Sequence, residues 1–142
     1  MVNHLPPQWN VSLDLHPGHQ LPRHIFGTEK LATLRPDIIL LNVQKNELIL
    51  SELSCPLQIN VAWAHEHKTQ KYLPLIQLAK HHGWISSLQI ITVPCQSPSI
   101  RGLVELLHLL EISDSAQPLE QECIRIVCQH TTGILNSQEL VL

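Results

Sequence analysis

Hydrophobic and polar residues alternate from Trp9 through Val11, Leu13 and Leu15, the period of a half-buried strand, and Pro17-Gly18 closes the run. Two further apolar runs, Asp37 to Val43 and Glu47 to Ser54, are separated by the short polar stretch Gln44-Lys45-Asn46 and predict an antiparallel hairpin. The rest of the first 36 residues is rich in Pro and His. Pro6, Pro7, Pro17, Pro22 and Pro36 interrupt any helix there, so this region is expected to be irregular. After Cys55-Pro56, apolar positions spaced by three and four predict a long helix from about Gln58 to His82, ended by Gly83. Val61, Ala64, Lys68, Lys71, Tyr72, Leu75 and Leu78 form one stripe of it, and Pro74 is expected to kink or divide it. A further strand is predicted over Leu88 to Val93, and two final helices over 100–112 and 119–135, with Ser99 and Pro118 near their starts. The pattern implies an α/β (α+β) fold in which helices flank a mixed sheet. It forms a single domain over residues 1–142, with 1–8 irregular.

Composition narrows the class. With 44% hydrophobic residues, 142 residues suffice for one sizeable core, and 15% charged residues argue against a long disordered tail. Nine basic against twelve acidic side chains give a net charge of −3, which excludes a strongly basic nucleic-acid coat but not a local contact with DNA. Cys55, Cys95, Cys123 and Cys128 lack the paired spacing of a zinc site, and Cys123 and Cys128 read as helix-core thiols. No signal-like apolar start and no run of membrane length is present. The expectation is an intracellular protein, nuclear or cytoplasmic, without a membrane partner. Gly-rich phosphate loops and a Ser/His/Asp order are also missing, which argues against a nucleoside triphosphatase or a serine hydrolase.

Two carboxylates stand out. Asp37 opens the second strand, and Glu52 lies near the end of the third, on the face shared by Leu48, Leu50 and Ser54. A hairpin of that length sets the start of one strand beside the end of the other. An acid on an apolar face needs a partner, and a hard cation such as Mg²⁺ is one. Asp37 as a turn acid and Glu52 as a structural ion-pair partner are the plainer readings. On the helix, Lys68 and Lys71 interrupt an apolar stripe, with Tyr72 four residues after Lys68. Their amines either lie in solvent or reach the two acids, where a lysine offsets phosphate charge or assists an attacking water. Tyr72 reads equally as a core aromatic with its hydroxyl at the rim. His65 and His67 point to different helix faces, and His81-His82 suit a helix end, so histidine-bound zinc is not expected. Arg101-Gly102 reads as a plain helix start, with a phosphate resting on that N-terminus as the alternative, and Trp9, Trp63 and Trp84 read as packing.

The ordered series Arg35-Pro-Asp37-Ile-Ile-Leu-Leu, Leu48-Ile-Leu-Ser-Glu52-Leu-Ser-Cys-Pro56, Ala64 with Lys68, Lys71-Tyr72 and Leu75, then Gly83-Trp84, resembles the restriction-enzyme-like endonuclease domain of non-LTR retrotransposons. Those domains belong to the PD-(D/E)XK nuclease superfamily. The resemblance spans about Trp9 to Leu135. It implies a restriction-endonuclease-like mixed sheet and a metal-dependent DNA endonuclease that nicks one strand for target-primed reverse transcription. It also implies Mg²⁺ or Mn²⁺ held by Asp37 and Glu52. The superfamily's lysine two positions after the second acid is Ser54 here. In the retrotransposon branch the following helix supplies it, which matches Lys68 or Lys71. A reverse transcriptase domain or parent polyprotein is the implied partner besides DNA, and the helix that usually precedes the first strand is expected to be missing. Two alternatives stay open: an inactive nuclease-fold remnant or interaction module, and a free-standing junction-resolving or repair nuclease of the same superfamily.

Overall fold

A computed structural model describes residues 7–14, 18–27, 30–93, 100–112, 118–122 and 125–126. Strands β1 (Asn10–Leu13), β2 (Ile38–Asn42), β3 (Glu47–Ser54) and β4 (Ile85–Thr92) form one sheet in that order. β1, β2 and β3 pair antiparallel, and β4 joins β3 in parallel, so the sheet is mixed as the hydrophobic pattern predicts. The β2–β3 hairpin turns through the exposed Val43 and the polar residues 44–46. There Asn42 Oδ1 accepts from the Lys45 amide at 3.2 Å, and Asn46 takes a left-handed φ of 52°. A parallel step from β3 to β4 needs a long crossover. Helix α2 (Val61–His81) supplies it.

Alternation along β2 and β3 sends apolar side chains to both faces, and both faces are covered. Ile38, Leu40, Ile49 and Ile91 pack with Trp9 and with Leu103, Leu106 and Leu107 of helix α3 (Leu103–Leu109). Ile39, Leu48 and Leu50 pack with Tyr72, Leu75, Ile76 and Ala79 of α2, and with Ile25 and Phe26 of the short helix α1 (Arg23–Phe26). Glu52 continues the Leu48–Leu50 face and therefore looks toward α2.

Several boundaries differ from the sequence expectation, each for a local reason. The stretch before β2 is not wholly irregular: α1 and a 3-10 turn at Lys30–Thr33 lie in it, and Ile25 and Phe26 sit in the core. Pro74 does not divide α2, which runs 21 residues without a break. Its ring removes one hydrogen-bond donor, but Tyr72, Leu75, Ile76 and Ala79 are buried on either side and hold the helix together. β4 starts three residues earlier than its apolar run, because the buried Ser86 hydroxyl donates to the Ile76 carbonyl at 3.0 Å. α3 starts later than Ile100, since Arg101 first bridges Thr92 beside β4. Residues 118–122 and 125–126 are helical, while the rest of the helix expected over 119–135, with Cys123 and Cys128, lies outside the described residues, as does Cys95. No described helix is long and apolar enough to cross a membrane.

Candidate active site

The register that pairs Ile38 with Ser51 sets Asp37 opposite Glu52 at the end of the hairpin. Each acid is anchored by the other strand. The Asp37 amide donates to Glu52 Oε2 at 3.1 Å, and the Leu53 amide donates to Asp37 Oδ2 at 2.7 Å. This reciprocal pair holds both carboxylates side by side although 14 residues separate them in the chain. Glu52 is only 3% exposed, and burial at that depth demands compensation for its charge. Lys68 of α2 provides it, with Nζ in direct ion-pair contact with Glu52 Oε1.

Tyr72 closes the floor one turn further along α2. Its hydroxyl donates to the Arg35 carbonyl at 3.2 Å. Burial, reinforced by the neighbouring Glu52 and Asp37 carboxylates, holds the phenol well above its ordinary range. It is therefore a protonated donor near neutral pH and cannot accept a proton there. Lys71 is turned elsewhere: it is exposed, and its Nζ lies 4.7 Å from the centroid of the Tyr72 ring. Of the five residues singled out in the sequence, Asp37, Glu52, Lys68 and Tyr72 converge, and Lys71 stands at the rim.

Sequence reasoning missed the backing of Asp37. His19 is buried between Ser12 and Pro36, with Nε2 2.6 Å from the Pro36 carbonyl and Nδ1 2.7 Å from the Ser12 hydroxyl. A carbonyl only accepts, so Nε2 carries a proton, and in the neutral ring Nδ1 accepts from Ser12. The imidazole thereby ties the residue before Asp37 to β1. Arg35 pairs with Asp14 at 2.7 Å, in the open, where such a pair adds little stability. Nothing in the local pattern of one histidine among several in a Pro-rich stretch signals this role. Trp63, expected to be packing, is instead 68% exposed and stacks on His67, whereas Trp9 is buried. His82 uses Nδ1 to donate to the Ile25 carbonyl at 2.6 Å, which adds a tertiary contact to its place at the helix end.

The donor set suits a hard divalent cation of the Mg²⁺ type, which binds through one or two carboxylates and completes its shell with water and phosphate oxygens. Asp37 Oδ1 has no donor among the described residues, and Glu52 Oε1 accepts from the Lys68 ammonium. Among the described residues no group of three or more His, Cys, Asp or Glu side chains gathers to hold a metal. A larger open groove of about 770 Å³ lies on the other flank of α2, against β4, between Thr69, Leu73, Ser86 and Arg101. None of the four converging residues lines it. No protein-family model, curated protein or solved structure matches this chain.

Proposed function

We propose that this chain is a metal-dependent DNA endonuclease domain that nicks one strand, with a fold of the restriction-endonuclease type. One observation carries the reading: two acids on adjacent strands are locked side by side, and a lysine from the following helix touches the deeper one. Asp37 and Glu52 would hold Mg²⁺ or Mn²⁺, which when bound polarises the phosphate and lowers the cost of charge on the attacking water. Lys68 would offset the growing negative charge on the phosphate and orient the water. That water's oxygen forms a bond to phosphorus as one P–O ester bond breaks; the water gives up a proton to solvent, and the departing oxygen keeps the bonding pair and is protonated from solvent. Tyr72 stays protonated and braces the Arg35 carbonyl, which keeps the segment that leads into Asp37 in place. The order of motifs further supports a retrotransposon-type role, in which the nick primes a reverse transcriptase carried by a partner or parent polyprotein.

A second reading has an observation of its own. The Lys68–Glu52 ion pair satisfies the buried charge without any metal, as a structural pair in an inactive remnant or interaction module would. Nicking of supercoiled plasmid with Mg²⁺ or Mn²⁺ separates the two. The nuclease reading expects EDTA-sensitive nicking that falls at least a hundredfold in Asp37→Ala and Glu52→Ala, roughly the loss of one strong electrostatic contribution, and also falls in Lys68→Ala. A folded wild type that does not nick, or variants that nick equally, would overturn it in favour of the module. Preference for four-way junctions over linear DNA would assign the activity to a junction-resolving or repair nuclease.

A further inference from the structure

The first two turns of α2 carry an aromatic pair that the folded core does not use. Trp63 is 68% exposed, and its indole lies nearly parallel to the His67 imidazole, with centroids 5.0 Å apart and planes 9° from each other. Positions i and i+4 on a helix are neighbours, so the helix itself sets this stack. A tryptophan is the largest apolar side chain available, and leaving most of it in water forgoes much burial. One face of the indole is covered by the imidazole, and the exposure leaves the rest open.

The side chains next along the helix indicate the chemistry of a ligand that would cover it. Lys68, the residue after His67, is in contact with Glu52, and Lys71 lies one turn beyond His67 with its amine exposed. At about 100° per residue, Lys68 lies roughly 140° around the helix from Trp63, toward Glu52, whereas Trp63, His67 and Lys71 follow one i, i+4 row that rises about 12 Å. Glu66, three residues after Trp63 and so its neighbour on the helix, accepts from Gln70 Nε2 at 2.7 Å, which occupies one oxygen of this acid. A flat aromatic surface therefore leads along this row, over about 12 Å, to the Lys71 cation above the Tyr72 ring, at the rim of the carboxylate pair. Bases inside a duplex present their faces to one another, and only an unpaired base has a free face to stack on protein. The exposed apolar residues Leu57 and Ile59 lie just before the stack and would suit a protein surface instead. An imidazole stacked parallel to the indole, with a cation next on the same row, is not what such a surface requires.

We infer that the Trp63–His67 stack binds an unpaired base flanking the phosphodiester acted on at Asp37 and Glu52, so that the preferred substrate is nucleic acid with a single-stranded segment at that point. The inference rests on the proposed nuclease reading for the phosphodiester, but its test needs no cleavage. Binding of labelled oligo(dT) and of a duplex of equal length is measured with the full chain in EDTA, by anisotropy and by tryptophan fluorescence. The expected result is tighter binding to oligo(dT), quenching of tryptophan emission, and a loss of roughly 5- to 150-fold in Trp63→Ala, the span of single base–aromatic stacks. Trp63→Phe should retain most of the affinity. Equal affinity for both nucleic acids, or an unchanged Trp63→Ala, overturns the stack. Self-association of the chain that Trp63→Ala abolishes, with no binding of oligo(dT), assigns the surface to protein contact and also overturns it. Because binding is read without metal, a chain that binds but never nicks sinks the nuclease alone.

Discussion

At the scale of single residues, the site is set by how a buried carboxylate is neutralised. Glu52 accepts from a backbone amide and a lysine, and Tyr72 beside it is kept from ionising. Tyr72 is the one tyrosine in the chain, so its phenolate absorbance can be followed without ambiguity. The folded-state phenol is harder to ionise than the unfolded one. Stability tied to its protonated form is therefore complete below the unfolded value of about 10, and is lost as pH climbs toward the higher folded value. Native protein should show little phenolate between about pH 10 and 11, with the signal appearing as circular dichroism reports unfolding. Tyr72→Phe should flatten the pH dependence of stability above about 10, and should cost about 0.5–1.5 kcal/mol near neutrality for the lost bond to Arg35. Half-ionisation near pH 10 in a folded chain would refute this account. The acids and Lys68 are legible in the sequence because charge on an apolar stripe is conspicuous. His19 is not, because its role depends on Ser12 and Pro36 meeting it from two other segments.

Among the secondary-structure elements, the approach of α3 to the sheet turns on Gly102. Its φ is 85°, and a Cβ built there would lie 2.2 Å from the Ile90 carbonyl oxygen, a backbone atom that cannot swing away. Gly83, which ends α2, has nearly the same φ of 84° but open space around it. The comparison separates backbone conformation from close contact. Gly83→Ala should cost about 1–2 kcal/mol for the left-handed conformation alone. Gly102→Ala should cost about 2–5 kcal/mol, since overpacking adds to that term. Urea midpoints with unchanged slope would measure both, and equal losses would mean that α3 can shift away from Ile90. The hydrophobic pattern marks Gly83 as a helix end, because the apolar period stops there. It presents Arg101-Gly102 as an ordinary helix start, because the bridge from Arg101 to Thr92 is a long-range pairing that local periodicity does not encode. For the same reason the pattern makes β4 too short: Ser86 and Ser87 look like loop residues until Ser86 finds the Ile76 carbonyl.

For the molecule as a whole, charge sets how nucleic acid could be held. A chain with a net charge of −3 has no broad field to draw in a polyanion, so affinity must come from a few local contacts. Near the carboxylate pair the described residues offer Lys68 and Lys71, with Arg35 engaged by Asp14 and the Trp63–His67 stack on the row that leads to Lys71. Lys68 is already paired with Glu52, and a phosphate must share or displace that contact. Counterion release therefore involves about two phosphates. At about 0.7 per phosphate for a single strand, the slope of log affinity against log salt should be near −1.4. Raising salt from about 50 to 200 mM should then weaken oligo(dT) binding only about sevenfold, whereas a protein with 6–10 phosphate contacts loses about 10³–10⁵ on DNA. Lys71→Ala should lower the slope by about 0.7 while leaving tryptophan quenching intact, because it removes a phosphate contact and not the stack. Trp63→Ala should do the reverse, lowering affinity at every salt concentration with the slope unchanged. A slope steeper than about −4 would mean that a larger basic surface dominates, and the two-lysine account of the site would fail.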